Sequence, residues 1–543
     1  MYFEIIVAIL AGCGAFLLGF KVLSDNMEKI AGGGLKKLFN KTSDKRLVNV
    51  GMGAAATAVV QSSSITSVMV VGFVNAGIMS LKQAAALIMG ANIGTTITGQ
   101  IAALQAFDID AVFMLMLFIG VFMELFSKNE KVKYTGLALA GLGLVFVGLD
   151  LMSNPMKSLS ENPQVIAFLQ AIHNPFLLLF IGIALTAIIQ SSSAVTTIVI
   201  SMAGAGLIIG NGGNAALFVI LGSNIGTCVT AMISSIGTSV NARRASVMHL
   251  LFNVFGTILF TIMLLCWPTF NEMTLAKLFH APNTQIAMFH TIFNVTSTLL
   301  FLPFTDYLVK IATRLVPEKK TTEKDEAEFV YMDKLFLATP TVALEQLKKE
   351  TFRLADIAMA SLKTGFESFI NRDLDGLERV YKANETVAKL SENISQYLVL
   401  VSASGVTFAD EKQINTLHTD IGDIARIAEI ADNFTKYTKR AVEEELVFSA
   451  GINEKLSQMH DKLHQQYALV KDIVLNGKTE QKPQSNAVEE EIDAMRKELV
   501  AEHIARLAQG KCRPENNTVF INLVSNMERA GDHLNYIVYN GEN

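Results

Sequence analysis

From the N-terminus to about Arg314 the chain alternates long apolar runs with short polar ones; from Val316 onward it turns polar and charged. A helix needs roughly 20 apolar residues to cross a bilayer. Runs of that order are Phe3–Leu23, Ala84–Leu104, Ala111–Phe126, Tyr134–Met152, Ala215–Ile236, Ser246–Trp267 and Ile286–Val309, which predict seven crossings. Two further apolar blocks, Leu47–Met79 and Phe176–Ile209, are interrupted by Gln61-Ser62-Ser63-Ser64 and Gln190-Ser191-Ser192-Ser193. Each predicts a hairpin of two half-helices rather than a single span.

The two interruptions belong to an internal repeat. Gly19, Gly53, Thr57, Gln61 and Ser64 recur at a constant offset as Gly148, Gly182, Thr186, Gln190 and Ser193. A second shared element follows each hairpin, Gly90-Ala91-Asn92-Ile93-Gly94-Thr95 in the first half and Gly222-Ser223-Asn224-Ile225-Gly226-Thr227 in the second. Basic residues bias short loops to the cytoplasmic side. The loop before the first hairpin is rich in them (Lys36, Lys37, Lys41, Lys45, Arg46), whereas its counterpart Ser153–Pro175 has only Lys157. The halves are therefore expected to be inserted in opposite orientations, the N-terminus outside and the C-terminal region in the cytoplasm.

Broken helices in inverted repeats place a binding site near the bilayer midplane. At a break, backbone N–H groups lack partners that hydrocarbon cannot supply, and the helix dipole adds partial positive charge, so an anion meets both needs. Serine hydroxyls donate to oxyanions, while Gln, Ser and Thr oxygens coordinate a hard cation such as sodium. No Lys or Arg falls in the middle of a predicted crossing, which leaves a bound anion to be balanced by dipoles and co-bound cations. Small and hydroxyl residues also serve close helix packing, and one Gln-Ser-Ser-Ser alone reads that way. Two copies at matching points of a repeat favour binding. His249 with Asn253 and His290 with Asn294 form a further pair of one-turn motifs, read as hydrogen bonding within the bundle.

The paired Gln-Ser-Ser-Ser and Gly-x-Asn-Ile-Gly-Thr segments resemble those of type II sodium/phosphate cotransporters, and the resemblance spans residues 1 to about 314. It implies a plasma-membrane secondary transporter, not an enzyme, that moves inorganic phosphate with sodium by alternating access. It implies phosphate at Gln61, Ser62, Ser63, Ser64, Gln190, Ser191, Ser192 and Ser193. Thr66 and Thr196 lie behind the tips, and Asn92, Thr95, Asn224 and Thr227 are supports or sodium ligands. Phosphate export, and a phosphate sensor without turnover, are the alternatives.

After a charged linker (315–340), apolar residues recur at helical spacing from Pro340 on and predict six helices near 341–368, 373–400, 409–439, 441–476, 485–509 and 515–540, two three-helix bundles. Asn526-Met527-Glu528-Arg529-Ala530-Gly531-Asp532-His533 resembles the PhoU signature, and Asp423-Ile424-Ala425-Arg426 its degraded counterpart. That resemblance implies a regulatory domain over 341–543, open to a regulatory protein partner. Two carboxylate pairs, Glu489 with Asp493 and Glu528 with Asp532, are candidates for a divalent or transition metal, with solvated surface charge as the plain alternative.

The expected fold is thus all-α and polytopic: a membrane domain over 1–314 (repeat 1 about 1–127, repeat 2 about 134–267, final helix 286–310) plus the cytoplasmic bundles. Composition agrees, since 543 residues at 51% hydrophobic and 17% charged average two unlike regions. A net charge of −5 offers no basic footprint for nucleic acid. The four cysteines have no metal spacing, no phosphate-binding Gly-rich loop is present, and no basic n-region marks a cleavable leader. The bilayer, phosphate and sodium are the expected partners, with room for a homo-oligomer.

Overall fold

The computed structural model describes residues 2–39, 43–107, 109–210, 212–318, 329–404 and 406–541. Among these the chain is all-helical, and it divides into two compact units, Met1–Lys320 and Thr321–Asn543. Lys41 and residues 319–328 of the charged linker lie outside the described residues.

The first unit opens with α1 (Tyr2–Phe39), α2 (Arg46–Val60), α3 (Ser63–Asn75), α4 (Leu81–Ala103) and α5 (Asp110–Phe126). It continues with α6 (Glu130–Ser160), α7 (Pro163–Ala171), α8 (Pro175–Ile189), α9 (Ser192–Gly204), α10 (Ala215–Ser234) and α11 (Val240–Cys266). A single turn, α12 (Ala276–Leu278), precedes α13 (Pro282–Phe301) and α14 (Thr305–Leu315). Five helices, α1, α4, α6, α10 and α11, are long and apolar enough to cross a bilayer. With 15 and 13 residues, α2 and α3 are each about 20 Å long, well short of the roughly 30 Å hydrocarbon core. The same holds for α8 and α9.

One predicted crossing is corrected. Residues 286–310 do not form a single final helix: α13 ends at Phe301 and α14 leaves at an angle of 87°. Pro303 supplies no N–H to carry the helix onward. The carbonyls of Leu302 and Pro303 accept from Arg46 Nη1 at 3.2 and 3.1 Å, and Asp306 binds both Arg46 (2.7 Å) and Lys82 (2.8 Å).

The repeat seen in sequence reappears in packing. A Cβ on Gly53 would sit 2.0 Å from the Leu87 carbonyl oxygen, and one on Gly182 would sit 2.2 Å from that of Val219. These are equivalent positions, so α2 on α4 and α8 on α10 make the same glycine-dependent close crossing. Likewise α1 and α6, the first helices of the two halves, pack on each other.

The second unit contains α15 (Pro340–Asn371), α16 (Gly376–Ser402), α17 (Phe408–Glu443), α18 (Ala450–Asn476), α19 (Lys482–Ala508) and α20 (Asn516–Tyr539). Helices α15–α17 pack as one three-helix bundle and α18–α20 as another, joined chiefly by α17 against α20. The chain enters this unit over a fully buried carboxylate. Glu350 accepts from the backbone N–H groups of Val330 (3.0 Å) and Tyr331 (2.6 Å) and pairs with Arg353 at 2.6 Å. A second fastening follows where Tyr397 donates to the Asp333 carbonyl at 2.7 Å.

Candidate functional site

Both hairpins break in the same way. Helix α2 ends at Gln61 (φ 52°, ψ 21°) and α8 at Gln190 (φ 56°, ψ 27°), each in the left-handed region and each donating its N–H to a Thr carbonyl, Thr57 or Thr186, at 2.7 Å. A left-handed residue with a Cβ costs about 1–2 kcal/mol, and such strain gathers at functional sites. The next residue is extended in both, Ser62 at φ −144° and Ser191 at φ −144°. Each caps the helix it begins: Ser62 Oγ accepts from Ile65 N and Ser191 Oγ from Ala194 N, both at 3.2 Å. Capping uses a lone pair and leaves the hydroxyl proton free to donate. Ser63 and Ser192 are the first residues of α3 and α9, 5% and 7% exposed, with N–H groups that have no intrahelical acceptor.

The two tips meet. Gln61, Ser62, Ser63, Ser64, Gln190, Ser191, Ser192 and Ser193 line one cavity of about 70 Å³ together with Phe16, Leu17 and Phe20 of α1. The space exceeds the roughly 10–15 Å³ that a single water needs and is of the order of a small oxyanion. No Lys or Arg lines it. Two helix N-termini and six hydroxyls supply the positive field and the donors instead.

The remaining sequence-predicted residues stand behind the cavity rather than on its wall. Thr66 Oγ1 donates to the Ser62 carbonyl at 3.1 Å and receives from Thr57 at 3.0 Å, fixing the first tip. Asn92 Nδ2 reaches Asn253 Oδ1 at 3.2 Å, and Asn224 Oδ1 faces His290 Nε2 at 3.4 Å. Thr95 and Thr227 donate to carbonyls one turn back, Ala91 and Ser223, which leaves lone pairs for a cation. The buried hydroxyl of Thr196 has no hydrogen-bond partner among the described residues.

Two contributors were not singled out from the sequence. Thr98 donates to Gln61 Oε1 at 3.1 Å. Its signal was present, because the repeated motif extends to Gly-x-Asn-Ile-Gly-Thr-x-x-Thr, with Thr230 the counterpart. The apolar wall from α1 had no such signal.

In the second unit, ligand oxygens of Glu489, Asp493 and Asp532 lie within 4.8 Å of one another. Glu528 lies beside them against Asp493 and pairs with Arg496 at 3.2 Å. Burial, then the neighbouring carboxylates, pushes the Glu489 carboxyl above its usual range, and burial with the same crowding raises Asp532. Such a trio suits a hard cation, which would relieve the repulsion. The degraded counterpart is spent on the fold: Asp423 pairs with His533 Nδ1 at 2.9 Å and accepts from Asn540 at 3.0 Å.

Comparison with known proteins places these features in families. The profile described as Na+/Pi-cotransporter matches residues 15–154 and 156–273, and the profile described as PhoU domain matches 456–540. The uncharacterized protein YqeW of Bacillus subtilis is 32% identical over 307 residues, 56% of this chain and 96% of its own. The "Putative inorganic phosphate export protein YjbB" of Escherichia coli is 21% identical over 98% of this chain and 96% of its own. The human sodium-dependent phosphate transport protein 2B is 34% identical over 92 residues, 17% of this chain and 13% of its own.

Proposed function

We propose, from the premise that this chain belongs to the Na+/Pi-cotransporter family and carries a C-terminal PhoU domain, that it moves inorganic phosphate across the plasma membrane coupled to sodium. One observation carries the reading: two left-handed, serine-capped helix starts converge on a single oxyanion-sized cavity without a fixed cation. Phosphate sits between the tips, held by N–H groups and hydroxyls. Its charge is balanced by sodium at the oxygens behind them, drawn from Thr66, Asn92, Thr95, Thr196, Asn224 and Thr227. Because neither ligand is well balanced alone, binding of one favours the other, which is the thermodynamic basis of coupling.

The repeats are inverted across the bilayer, with the N-terminus outside and the PhoU domain in the cytoplasm. That domain reports or adjusts to phosphate status, and Glu489, Asp493 and Asp532 are its candidate hard-metal ligands. Export has support in the printed name of the Escherichia coli relative. A coupled cycle runs either way, so direction follows the gradients.

Radiolabelled phosphate flux into liposomes containing the purified protein tests this. Uptake is expected with an inward sodium gradient and not with choline. Binding without flux would instead make the protein a sensor.

A further inference from the structure

We propose that α14 (Thr305–Leu315) is an interfacial helix that binds the headgroups of anionic phospholipids through Lys310 and Arg314, while Phe304, Tyr307, Ile311 and Leu315 enter the acyl boundary beneath them.

Its position follows from the helix before it. At 20 residues α13 is about 30 Å long, the thickness of the hydrocarbon core, so a chain that crosses along it leaves the core near Phe301. There the 87° bend turns α14 from the crossing direction into the plane of the membrane surface. The placement is fixed at both ends. Asp306 is held by Arg46, the first residue of α2, and by Lys82 in the first turn of α4. At the far end the Val316 carbonyl accepts from Arg244 Nε, near the start of α11, at 2.9 Å. Three helix starts therefore hold α14 at one boundary.

The helix surface divides into three faces. Thr305, Leu308 and Ala312 are buried, and α14 packs on α4 and α11. Beside that face Phe304, Tyr307, Ile311 and Leu315 recur three and four residues apart, with Phe304, Tyr307 and Leu315 51%, 63% and 61% exposed. Water gives such a stripe no partner, whereas the acyl boundary of a bilayer does. The flank beyond the stripe carries Lys310 and Arg314, one turn apart and both exposed. Lys310 Nζ lies 5.5 Å from the Tyr307 ring centroid, so the cationic and apolar faces meet along one edge, the arrangement in which long basic side chains reach up to headgroups.

The charge on that flank is free for a lipid. The two acids of this segment are already paired, Asp306 with Arg46 and Lys82, and Glu318 with Arg244 at 3.7 Å. Lys310, Arg314 and Arg243, exposed near the start of α11, make no ion pair among the described residues. Cations without acidic partners, set along an apolar stripe at a bilayer boundary, attract anionic headgroups more than zwitterionic ones.

The test uses the single tryptophan of the chain, Trp267, which lies just past the end of α11 away from Arg243 and Arg244. Full-length protein carrying Trp267→Phe and Tyr307→Trp has its one indole on the exposed stripe, where brominated lipids quench it by contact. Brominated phosphatidylglycerol is expected to quench at a mole fraction about fivefold lower than brominated phosphatidylcholine, the effect of one cation near the surface. Adding Lys310→Gln and Arg314→Gln should bring the two lipids to parity, with quenching by phosphatidylcholine unchanged as the sign that α14 has kept its place. High salt, which needs no further variant, should also remove the preference. In the unaltered chain Trp267 reports the opposite boundary and should show none. Quenching by neither lipid would mean that protein covers α14, and would overturn the proposal. So would equal quenching by both lipids, a preference that survives the loss of both cations, or the same preference at Trp267.

Discussion

The two hairpin tips share a backbone and differ in how firmly their side chains are held. At the first tip Gln61 is spent on both ends, its amide donating to the Ala58 carbonyl and its oxygen receiving Thr98. Ser24 of α1 further caps the Val60 carbonyl beside it. At the second tip Gln190 is exposed and makes no side-chain hydrogen bond among the described residues, and Ser153, the counterpart of Ser24, binds Gln105 at 3.2 Å instead. On the phosphate reading, the common backbone would carry the anion chemistry, since helix N-termini and capping serines are equivalent in both. The unequal side chains assign different work. On the same reading the first tip would be the fixed half of the site, and the second would keep a side chain, Gln190, free to follow the substrate.

Removing the cation should have the largest effect and strike both tips alike. A unit charge about 4 Å away is worth roughly 4 kcal/mol at an effective dielectric near 20, so exchanging sodium for choline should weaken phosphate binding by about two to three orders of magnitude. Equilibrium binding of labelled phosphate in the two buffers measures it, and unchanged affinity would sink the coupling argument.

Next come the serines. A hydrogen bond to a charged group contributes about 1.5–3 kcal/mol, so Ser63→Ala and Ser192→Ala should each lower phosphate affinity roughly 10- to 100-fold. Similar losses at both sharpen the claim that the tips are equivalent in backbone chemistry. A loss at one alone breaks it.

The glutamines should then separate the tips. Gln190→Ala removes an exposed, hydrated side chain whose bond to the anion is weakened by competing water, and should cost affinity only about 2- to 10-fold, while Gln61→Ala should act through the tip's rigidity. In a double-mutant cycle Thr98→Val should add little to Gln61→Ala, because the two changes delete one hydrogen bond, yet add fully to Gln190→Ala. Full additivity in both pairs would show that Thr98 does not act through Gln61.

The smallest effect belongs to Ser201, buried on α9 beyond the tip with a hydroxyl that has no partner among the described residues. Ser201→Ala should change affinity by no more than about twofold, because no hydrogen bond is lost. A drop comparable to Ser192→Ala would move the site away from the tip.

Much of this arrangement was legible in the sequence because polar residues inside apolar runs are costly and stand out. Gln61–Ser64 and Gln190–Ser193 announce themselves twice at one offset, and the structure lines one cavity with both. The helices of the second unit were readable from periodicity, down to the turn between α19 and α20, except that α17 runs on to Glu443 and α18 begins only at Ala450 rather than near 441. The break between α13 and α14 was hidden because Leu299, Leu300, Phe301, Leu302 and Phe304 keep the run apolar across Pro303, and the turn is held by Arg46, far away in the chain. Phe16, Leu17 and Phe20 were invisible as site residues, since hydropathy does not tell a side chain that faces a cavity from one that faces lipid. Nor could local sequence show that Asp423 and His533, from two resembling motifs, satisfy each other.

The buried Glu350 bears on mechanics. Tension drawn along the chain as it enters the second unit would meet the carboxylate's grip on Val330 and Tyr331, and then the Tyr397 bond to Asp333, before it reached the first turn of α15. The load is thus delivered to the middle of α15 and to α16, where side chains are packed, and not to a helix end that could fray. A pull at this point tends to move the bundle as a block.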